Sequence, residues 1–301
     1  MLNKIGPYIL EKELSSGSYG ICYCARDEKN NKYAIKKIKK EDKNQNESII
    51  NEINILKIMK SKYSVKFIKF IEKDDYFYIV MELCDGDLKY LLQKMNKKID
   101  LNIIIKITLQ LNKVIKLMHY KKIEHRDLKP ENILIKFREE NEFDIKLTDY
   151  GFSKLYQSNS KYSQIYGTMY YSAPEVYEDS GNSKSDLWSI GIILYYLYFN
   201  NFPFKNIKEF LNSNNNVTLE KSNFELFDDL LYKLIIKEPK DRLNWDDYFI
   251  HPFNKLQMIE ISVFIENDNN NCQILNNQYF KYEQLKNSKI YIDNKNSYSI
   301  K

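Results

Sequence analysis

The sequence predicts an α+β protein with a small, mostly β part followed by a larger, mostly α part. Residues 8–82 contain β-type segments with one helical pattern among them, and helical spacing of apolar residues dominates after about residue 87. The chain has 301 residues, 43% of them hydrophobic. This is enough to bury the core of one large domain or of two lobes.

Five strands and one helix are predicted in the first part. The strands are Tyr8–Leu14, Ile21–Arg26, Lys32–Lys39, Val65–Ile71 and Tyr76–Glu82. Ile50, Ile53, Leu56 and Ile58 recur at mainly helical spacing, which predicts a helix over Glu47–Lys60.

The second part is predicted to be helical around one short strand pair. Leu101–Tyr120 carries an apolar stripe at helical spacing, and the strand pair lies around Ile133–Lys136 and Asp144–Leu147. Helices dominate again from Ser185. Leu187–Phe199 is apolar on every side, but thirteen residues are fewer than the roughly twenty that span a membrane. We therefore expect a buried core helix.

Composition narrows the classes of partner and compartment. The net charge of +5 is spread along the chain and does not favour nucleic acid. Four cysteines without a CxxC pair indicate free thiols, and the N-terminus has no secretory apolar region. We expect a cytoplasmic protein, with access to the nucleus left open and no membrane span. Residues 254–301 are rich in Asn and are either a tail that packs on the domain or a loose segment.

One region concentrates the groups that phosphoryl transfer needs. His-Arg-Asp-Leu-Lys-Pro-Glu-Asn occupies residues 125–132, and Asp-Tyr-Gly follows at residues 149–151. The transition state is rich in charge, so a catalyst positions groups and neutralises oxygens. The candidates are a proton acceptor, Asp127, a phosphate-binding cation, Lys129, and two Mg²⁺ ligands, Asn132 and Asp149.

These motifs resemble the catalytic loop and metal-binding turn of eukaryotic-type protein kinases. Lys129, two residues after Asp127, places the resemblance in the Ser/Thr branch. The resemblance covers about residues 8–253 and implies the bilobal kinase fold, with an N-lobe of about 8–82 and a C-lobe of about 87–253. It implies ATP and Mg²⁺ as cofactors and proteins as substrates, and it leaves the oligomeric state open. The subgroup loosely resembles the calmodulin-dependent and ULK-like kinases.

The same resemblance implies a nucleotide site. Residues 14–22 look like the kinase Gly-rich loop, with Ser15 in place of its first glycine. Lys36 matches the lysine that binds the α- and β-phosphates, and Glu52 matches its helix partner, with Glu47 as a competing acid. The residues assigned to the nucleotide are Leu14, Gly17, Gly20, Cys22, Ala34, Lys36, Met81, Glu82, Cys84, Asp87, Leu134 and Asp149. The ones assigned to catalysis are Lys36, Glu52, Asp127, Lys129, Asn132 and Thr168.

The segment between Asp149 and Glu175 resembles a kinase activation segment. Thr168 is expected to bond toward Asp127 and Lys129, Glu175 to pair with Arg242, and Asp186 to brace the catalytic loop. Tyr150 replaces the usual Phe and is expected to stack with His125, Leu56 and Phe67, while its hydroxyl needs a partner. A further carboxylate, Glu131, is expected to select substrates with a basic residue before the acceptor.

A basic pair, Arg126 and Lys154, is expected to receive a phosphorylated residue of that segment. The candidate residues are Ser158, Ser160, Tyr162 and Ser163. Gln164 occupies the usual phosphorylation site, so the alternative is a segment that is constitutively ordered.

Two rival functions remain at this stage. A pseudokinase scaffold would bind partners without transferring phosphate, but such proteins usually lack a residue equivalent to Lys36, Asp127 or Asp149. A small-molecule kinase of similar fold is disfavoured by residues 167–175, which resemble the platform for a polypeptide substrate.

Overall fold

The structure is a computed structural model. It gives the backbone alone for residues 43–45, 48, 154, 155 and 178 and for the described residues beyond 256. It describes residues 4–17, 20–40, 43–96, 99–139, 142–150, 154–155, 170–178, 181–206, 210–211, 213, 217–256, 260–266, 272–278, 291–292 and 298–299.

The first part of the chain forms one antiparallel six-stranded sheet in the order β1-β2-β3-β4-β6-β5. Its strands are β1 Lys4–Ile5, β2 Tyr8–Gly17, β3 Gly20–Arg26, β4 Lys32–Lys39, β5 Phe67–Lys73 and β6 Tyr76–Glu82. Both β4 and β6 have their predicted bounds. The fifth strand starts two residues after its predicted start, because Ser64 bridges Leu147 and the Val65 N–H donates to the Leu147 carbonyl.

One helix, α1 (Lys43–Ile58), covers this sheet. It begins four residues before its predicted start and ends two residues before its predicted end. Ile53, Leu56 and Met59 from this segment join a hydrophobic core that continues into the helical part. A separate cluster, including Ile35 and Val80, packs on other residues of the sheet.

The second part is mainly helical. Its helices are α2 Leu88–Lys94, α3 Leu101–Tyr120, α4 Ser185–Phe199, α5 Glu225–Leu234 and α6 Trp245–Ile250. The third helix, α3, has its predicted bounds and begins where the Asp100 side chain accepts the Asn102 N–H at 2.8 Å. As predicted, α4 is buried along nearly all of its length. Within the described ranges, no helix has both the length and the apolar character that a membrane span requires.

Further strands flank the segments that carry the two sequence motifs. They are β7 Gly86–Asp87, β8 Ile123–Glu124, β9 Ile133–Glu139, β10 Glu142–Leu147 and β11 Lys154–Leu155. A small sheet has the order β10-β9-β7, and β8 pairs with β11. The catalytic loop runs from β8 to β9, and Asp149 lies two residues after β10, so these pairings bring both motifs to one place.

Beyond the helical part the backbone forms two antiparallel strand pairs that the sequence analysis did not predict. They are β12 Glu260–Glu266 with β13 Cys272–Gln278, and β14 Tyr291–Ile292 with β15 Tyr298–Ser299. The division at residue 254 stays a prediction.

Candidate active site

Lys36 connects two carboxylates from different parts of the fold. It lies on β4, Glu52 lies on α1, and Asp149 follows β10. The Lys36 Nζ donates to Glu52 Oε1 at 2.8 Å and to Asp149 Oδ1 at 2.9 Å. Glu47, the competing acid on α1, is exposed. The contact geometry therefore favours Glu52 over Glu47.

The charges of these three groups depend on one another. Burial alone would lower the pKa of Lys36, but the Asp149 and Glu52 carboxylates outweigh it and raise that pKa. Burial favours the neutral form of Asp149, yet the Lys36 charge lowers its pKa. Burial raises the pKa of Glu52. Lys36 therefore keeps its positive charge, and of the two acids Asp149 is the one that Lys36 holds in its ionised form.

Asp127, Lys129 and Asn132 form a second cluster on the loop between β8 and β9. The Lys129 Nζ donates to Asp127 Oδ2 at 2.7 Å. The Asn132 amide nitrogen donates to the same oxygen at 3.0 Å and to the Asp127 carbonyl at 2.8 Å. Burial raises the pKa of Asp127 to about 6, although the Lys129 ammonium opposes the shift. The carboxylate is thus oriented by two donors and still titrates near neutrality.

His125 links the two clusters. Its Nε2 lies 3.0 Å from the Thr148 carbonyl, and its Nδ1 lies 3.3 Å from the Asp127 backbone nitrogen. A carbonyl can only accept and a backbone N–H can only donate, so these contacts fit a neutral ring protonated on Nε2. Burial lowers the pKa of His125 to about 4, which favours the same neutral form. The ring holds the catalytic loop against the residue before Asp149.

Asp186 at the start of α4 fixes the backbone of the catalytic loop. Its two oxygens accept the His125 N–H at 2.7 Å and the Arg126 N–H at 2.9 Å. Arg126 has a φ of 68°, in the left-handed region that non-glycine residues rarely adopt. Such a conformation persists only where its surroundings hold it in place, and Asp186 supplies that constraint. The expectation that Asp186 braces the loop is confirmed.

Tyr150 is fully buried and packs against His125, with ring centroids 5.4 Å apart. Leu56 is buried in the same core, and Phe67 packs against it. The Tyr150 hydroxyl, which replaces a hydrogen of the usual Phe, lies 2.9 Å from Ser64 Oγ. A partner for this hydroxyl was expected, but the sequence did not indicate Ser64.

The residues assigned to the adenine pocket lie on strands of two sheets. Cys22 lies opposite Lys36, Ala34 lies opposite Met81, and Leu134 lies opposite Asp87. Burial raises the pKa of Cys22 to about 11, so its thiol is protonated at neutral pH. The register places Cys22 and Ala34 on adjacent strands of the six-stranded sheet and Leu134 on the separate three-stranded sheet.

The Gly-rich loop is mostly an extended hairpin of β2 and β3. Gly20 has a φ of 127°, and a Cβ there would approach the Lys37 carbonyl oxygen to 2.2 Å, so this position requires glycine. Gly17 lies opposite Gly20 and has open space around it. Leu14, also assigned to the nucleotide, is 47% exposed on β2.

The segment that links β6 to α2 is attached to the second part of the fold. Glu82 Oε1 accepts from Lys146 Nζ at 2.9 Å, and the Leu83 carbonyl accepts from Lys136 Nζ at 2.7 Å. Burial raises the pKa of Cys84 in this segment to about 12. The backbone expected to meet adenine is therefore held from β9 and β10.

Residues 8–254 of the chain match the protein kinase domain family. The chain belongs to the protein kinase family. The sheet followed by a helical part is the bilobal kinase fold, which confirms the predicted fold class.

Relatives of this kinase fall in the two groups named from the sequence. Calcium-dependent protein kinase 21 of Arabidopsis thaliana is 34% identical over 265 residues, 82% of this chain and 49% of the relative. Calcium-dependent protein kinase 4 of Plasmodium falciparum is 34% identical over 206 residues, 66% and 38%. Serine/threonine-protein kinase ULK3 of Homo sapiens is 31% identical over 268 residues, 84% and 56%. The chain spans about half the length of the curated relatives it matches.

A buried ion pair ties the end of the kinase activation segment to the C-lobe. Arg242 donates from NH1 to Glu175 Oε1 at 2.8 Å and from NH2 to Glu175 Oε2 at 3.1 Å. Ser185 Oγ donates to the same carboxylate at 2.9 Å. The other Arg242 donors reach backbone carbonyls, including those of Ile236 and Lys184. The expected Glu175–Arg242 pair is confirmed.

Arg126 is not available in the way the sequence suggested. Its Nε and NH2 donate to Glu124 Oε2 at 2.8 and 2.6 Å, and both side chains are nearly buried. The Glu124 carboxylate therefore already pairs with Arg126, the residue that was expected to bind a phosphate. Glu124 ends β8 and Arg126 adopts a left-handed φ beyond the strand, so no strand pattern in the sequence indicated this pair. Lys154 lies opposite Glu124 in the β8–β11 pair.

Several predicted residues lie outside the described part of the kinase. They are Gly151, Ser158, Ser160, Tyr162, Ser163, Gln164, Gly167 and Thr168, together with the side chain of Lys154.

Asp87 serves as the N-cap of α2. Its Oδ1 accepts the Tyr90 N–H at 2.7 Å, which satisfies a donor in the first helical turn. This structural role occupies one carboxylate oxygen. It is compatible with a second role of the other oxygen toward a ribose.

Proposed function

We propose that this kinase transfers the γ-phosphoryl group of ATP to Ser or Thr hydroxyls of protein substrates, with Mg²⁺ as cofactor. The observation that carries the proposal is the pair of joined clusters, Lys36–Glu52–Asp149 and Asp127–Lys129–Asn132. They provide a buried cation for phosphate, two oxygen ligands for a metal and a carboxylate poised for a proton. The presence of these residues favours transfer over the pseudokinase alternative.

The nucleotide would lie between the sheet and β9. Ala34 and Cys22 would face one side of adenine and Leu134 the other, and backbone groups of Glu82 and Cys84 would bond its edge. Lys36 would bind phosphate oxygens while Glu52 holds its ammonium in position. Met81, Leu14, Gly17, Gly20 and Asp87 keep their assignments to the nucleotide as part of this proposal.

Asn132 and Asp149 fit a magnesium ion by the chemistry of their donors. The Asn132 amide nitrogen bonds to Asp127, so its amide oxygen is the atom that would hold the metal. Asp149 is kept ionised by Lys36. Mg²⁺ prefers hard oxygen ligands and usually takes only one or two from the protein. When bound, Mg²⁺ supplies positive charge that neutralises phosphate oxygens.

Asp127 would orient the substrate hydroxyl and accept its proton. A general base is most effective when its pKa lies near the working pH, and burial raises the pKa of Asp127 to about 6. Lys129, which now donates to Asp127, would lie beside the transferred phosphate. Thr168 would complete this group at the substrate side.

The free thiols of the pocket support a reducing compartment, and we propose a cytoplasmic location.

The test is transfer of radiolabel from γ-labelled ATP to Ser/Thr peptides, with and without Mg²⁺. We expect Asp127→Asn to lower turnover at least about a hundredfold, because a general base contributes on that order, while nucleotide binding persists. Lys36→Met is expected to weaken nucleotide binding as well. Asp246→Asn, an exposed acid on α6, is the matched control. Wild-type turnover in Asp127→Asn would refute the proposed mechanism.

A further inference from the structure

Glu131, in the turn between Asp127 and β9, has two carboxylate oxygens in unlike surroundings. Its Oε1 forms an ion pair with Lys89 Nζ on α2. Its Oε2 is buried and has no hydrogen-bond partner among the described residues. A buried carboxylate oxygen without a donor costs free energy, so this position favours a cation that can donate to both oxygens.

The other neighbours of Glu131 do not supply that cation. Asp87 adds a second negative charge: burial and then the Glu131 charge raise its pKa. Burial and the Glu131 charge also raise the pKa of Tyr171, which belongs to an aromatic cluster with Tyr196. Neither Asp87 nor Tyr171 therefore supplies a positive charge to Glu131, and Lys89 is the cation that contacts it.

The Lys89 contact is of a kind that a ligand can displace. The Lys89 side chain is 43% exposed and the Glu131 side chain 30% exposed. Exposed ion pairs contribute little, because the charges are well solvated and holding long side chains costs entropy. An ammonium acts as a point charge on one oxygen, whereas a guanidinium can donate to both oxygens of a carboxylate.

We propose that Lys89 is a specificity-determining residue, which competes with a basic residue of the protein substrate for Glu131. The inference rests on the proposed function. A substrate arginine can satisfy both Glu131 oxygens, but it must first displace Lys89 and approach a like charge. The result is a weak preference for substrates with a basic residue before the acceptor, and Lys89 determines how weak it is.

The test measures kcat/KM of the full chain for a matched set of serine peptides. One arginine is moved through the positions before the acceptor, and a peptide with glutamine there is the reference. We expect Lys89→Met to raise the ratio of arginine to glutamine peptide about two- to fivefold, as loss of one weak ion pair allows. Lys89→Glu should raise it further, and Lys89→Arg, whose guanidinium can donate to both Glu131 oxygens, should keep it at or below the wild-type value.

Two comparisons tie the effect to this pair. Lys94→Met makes the same charge change on the same helix, but Lys94 lies over the Phe137 ring, so the ratio should not change. In a Glu131→Gln background, Lys89→Met should lose its effect. An unchanged ratio in Lys89→Met, or the same rise with Glu131→Gln present, would overturn the inference.

Failure of the proposed function has a different signature, namely no transfer by the wild type to any peptide. Binding of fluorescent peptides that carry alanine at the acceptor position is measured in parallel by anisotropy. We expect Lys89→Met to tighten binding of the arginine peptide by the same factor. Equal affinity of wild type and Lys89→Met for that peptide would contradict the role of Lys89 even if no phosphate is transferred.

Discussion

The hydroxyl of Tyr150 gives a stability prediction that can be worked from two contacts. Tyr150 is 0% exposed, Ser64 is 1% exposed, and their oxygens lie 2.9 Å apart. The phenol oxygen also makes a long contact, 3.5 Å, with the Leu147 carbonyl oxygen. Tyr150→Phe keeps the ring that packs on His125 but leaves Ser64 Oγ buried without this partner.

Leaving one buried polar group unsatisfied costs about 1–3 kcal/mol, whereas removing both partners is nearly neutral. We therefore expect Tyr150→Phe and Ser64→Ala each to lower the free energy of unfolding by about 1–3 kcal/mol. The double variant should be more stable than the sum of the two losses implies, by a coupling of about 2 kcal/mol or more. For a protein of this size, each kcal/mol lowers Tm by about 2–4 °C.

Urea unfolding followed by tryptophan fluorescence measures these differences, since Trp188 and Trp245 lie in the C-lobe. Tyr120→Phe removes a hydroxyl from a residue that is 84% exposed and should change stability by less than about 0.5 kcal/mol. Additive losses in the double variant would show that the two hydroxyls do not interact and would refute the assigned contact.

Three further predictions follow from buried charges. Transfer should fall about tenfold for each pH unit below about 6, because burial raises the pKa of Asp127 to about 6 and only its ionised form accepts a proton; a pH profile of kcat/KM that stays flat to pH 5 would contradict this. Glu124→Gln should lower turnover several-fold, because it removes the negative charge that pairs with Arg126. Phosphatase treatment of the wild type should leave turnover unchanged. A loss of activity on dephosphorylation would instead favour activation by a phosphorylated residue that binds Arg126. Arg242→Met should lower the free energy of unfolding in urea by about 3–5 kcal/mol, because it leaves the buried Glu175 charge without its partner, against about 0.5 kcal/mol or less for Lys233→Met in an exposed pair.

The local pattern of apolar and polar residues predicted those helices and strands that have one apolar face or are apolar on every side. The α3 helix over Leu101–Tyr120 and the β4 and β6 strands have their predicted bounds because their patterns are regular and end at clear polar residues. The predicted start of β5 was wrong, because a contact with a residue far away in the sequence determines where this strand begins. Val65 shows β-type composition, but its N–H bonds to Leu147, so the strand begins later.

The same distinction holds for the site. A resemblance of motifs named the residues of both clusters, and the structure brings Lys36, Glu52 and Asp149 into contact. The partners that adjust those clusters come from positions without a motif. Ser64 precedes β5, and Lys89 lies on α2, and each meets its partner only through the folded chain. A single sequence contains no local signal for such a pairing.

The position of Lys36 between two acids implies a sequence of exchanges on nucleotide binding. The ammonium donates to one oxygen of Glu52 and one oxygen of Asp149. A phosphate near Lys36 would compete with both carboxylates, and a metal on Asp149 would compete with Lys36 itself. Asp149 would then be available to hold a metal in place of Lys36, while Glu52 would keep its contact with the lysine that is proposed to bind phosphate. In the proposed function the α1 carboxylate would orient Lys36 and the carboxylate after β10 would hold the metal, while the shared ammonium keeps the two buried acids compatible.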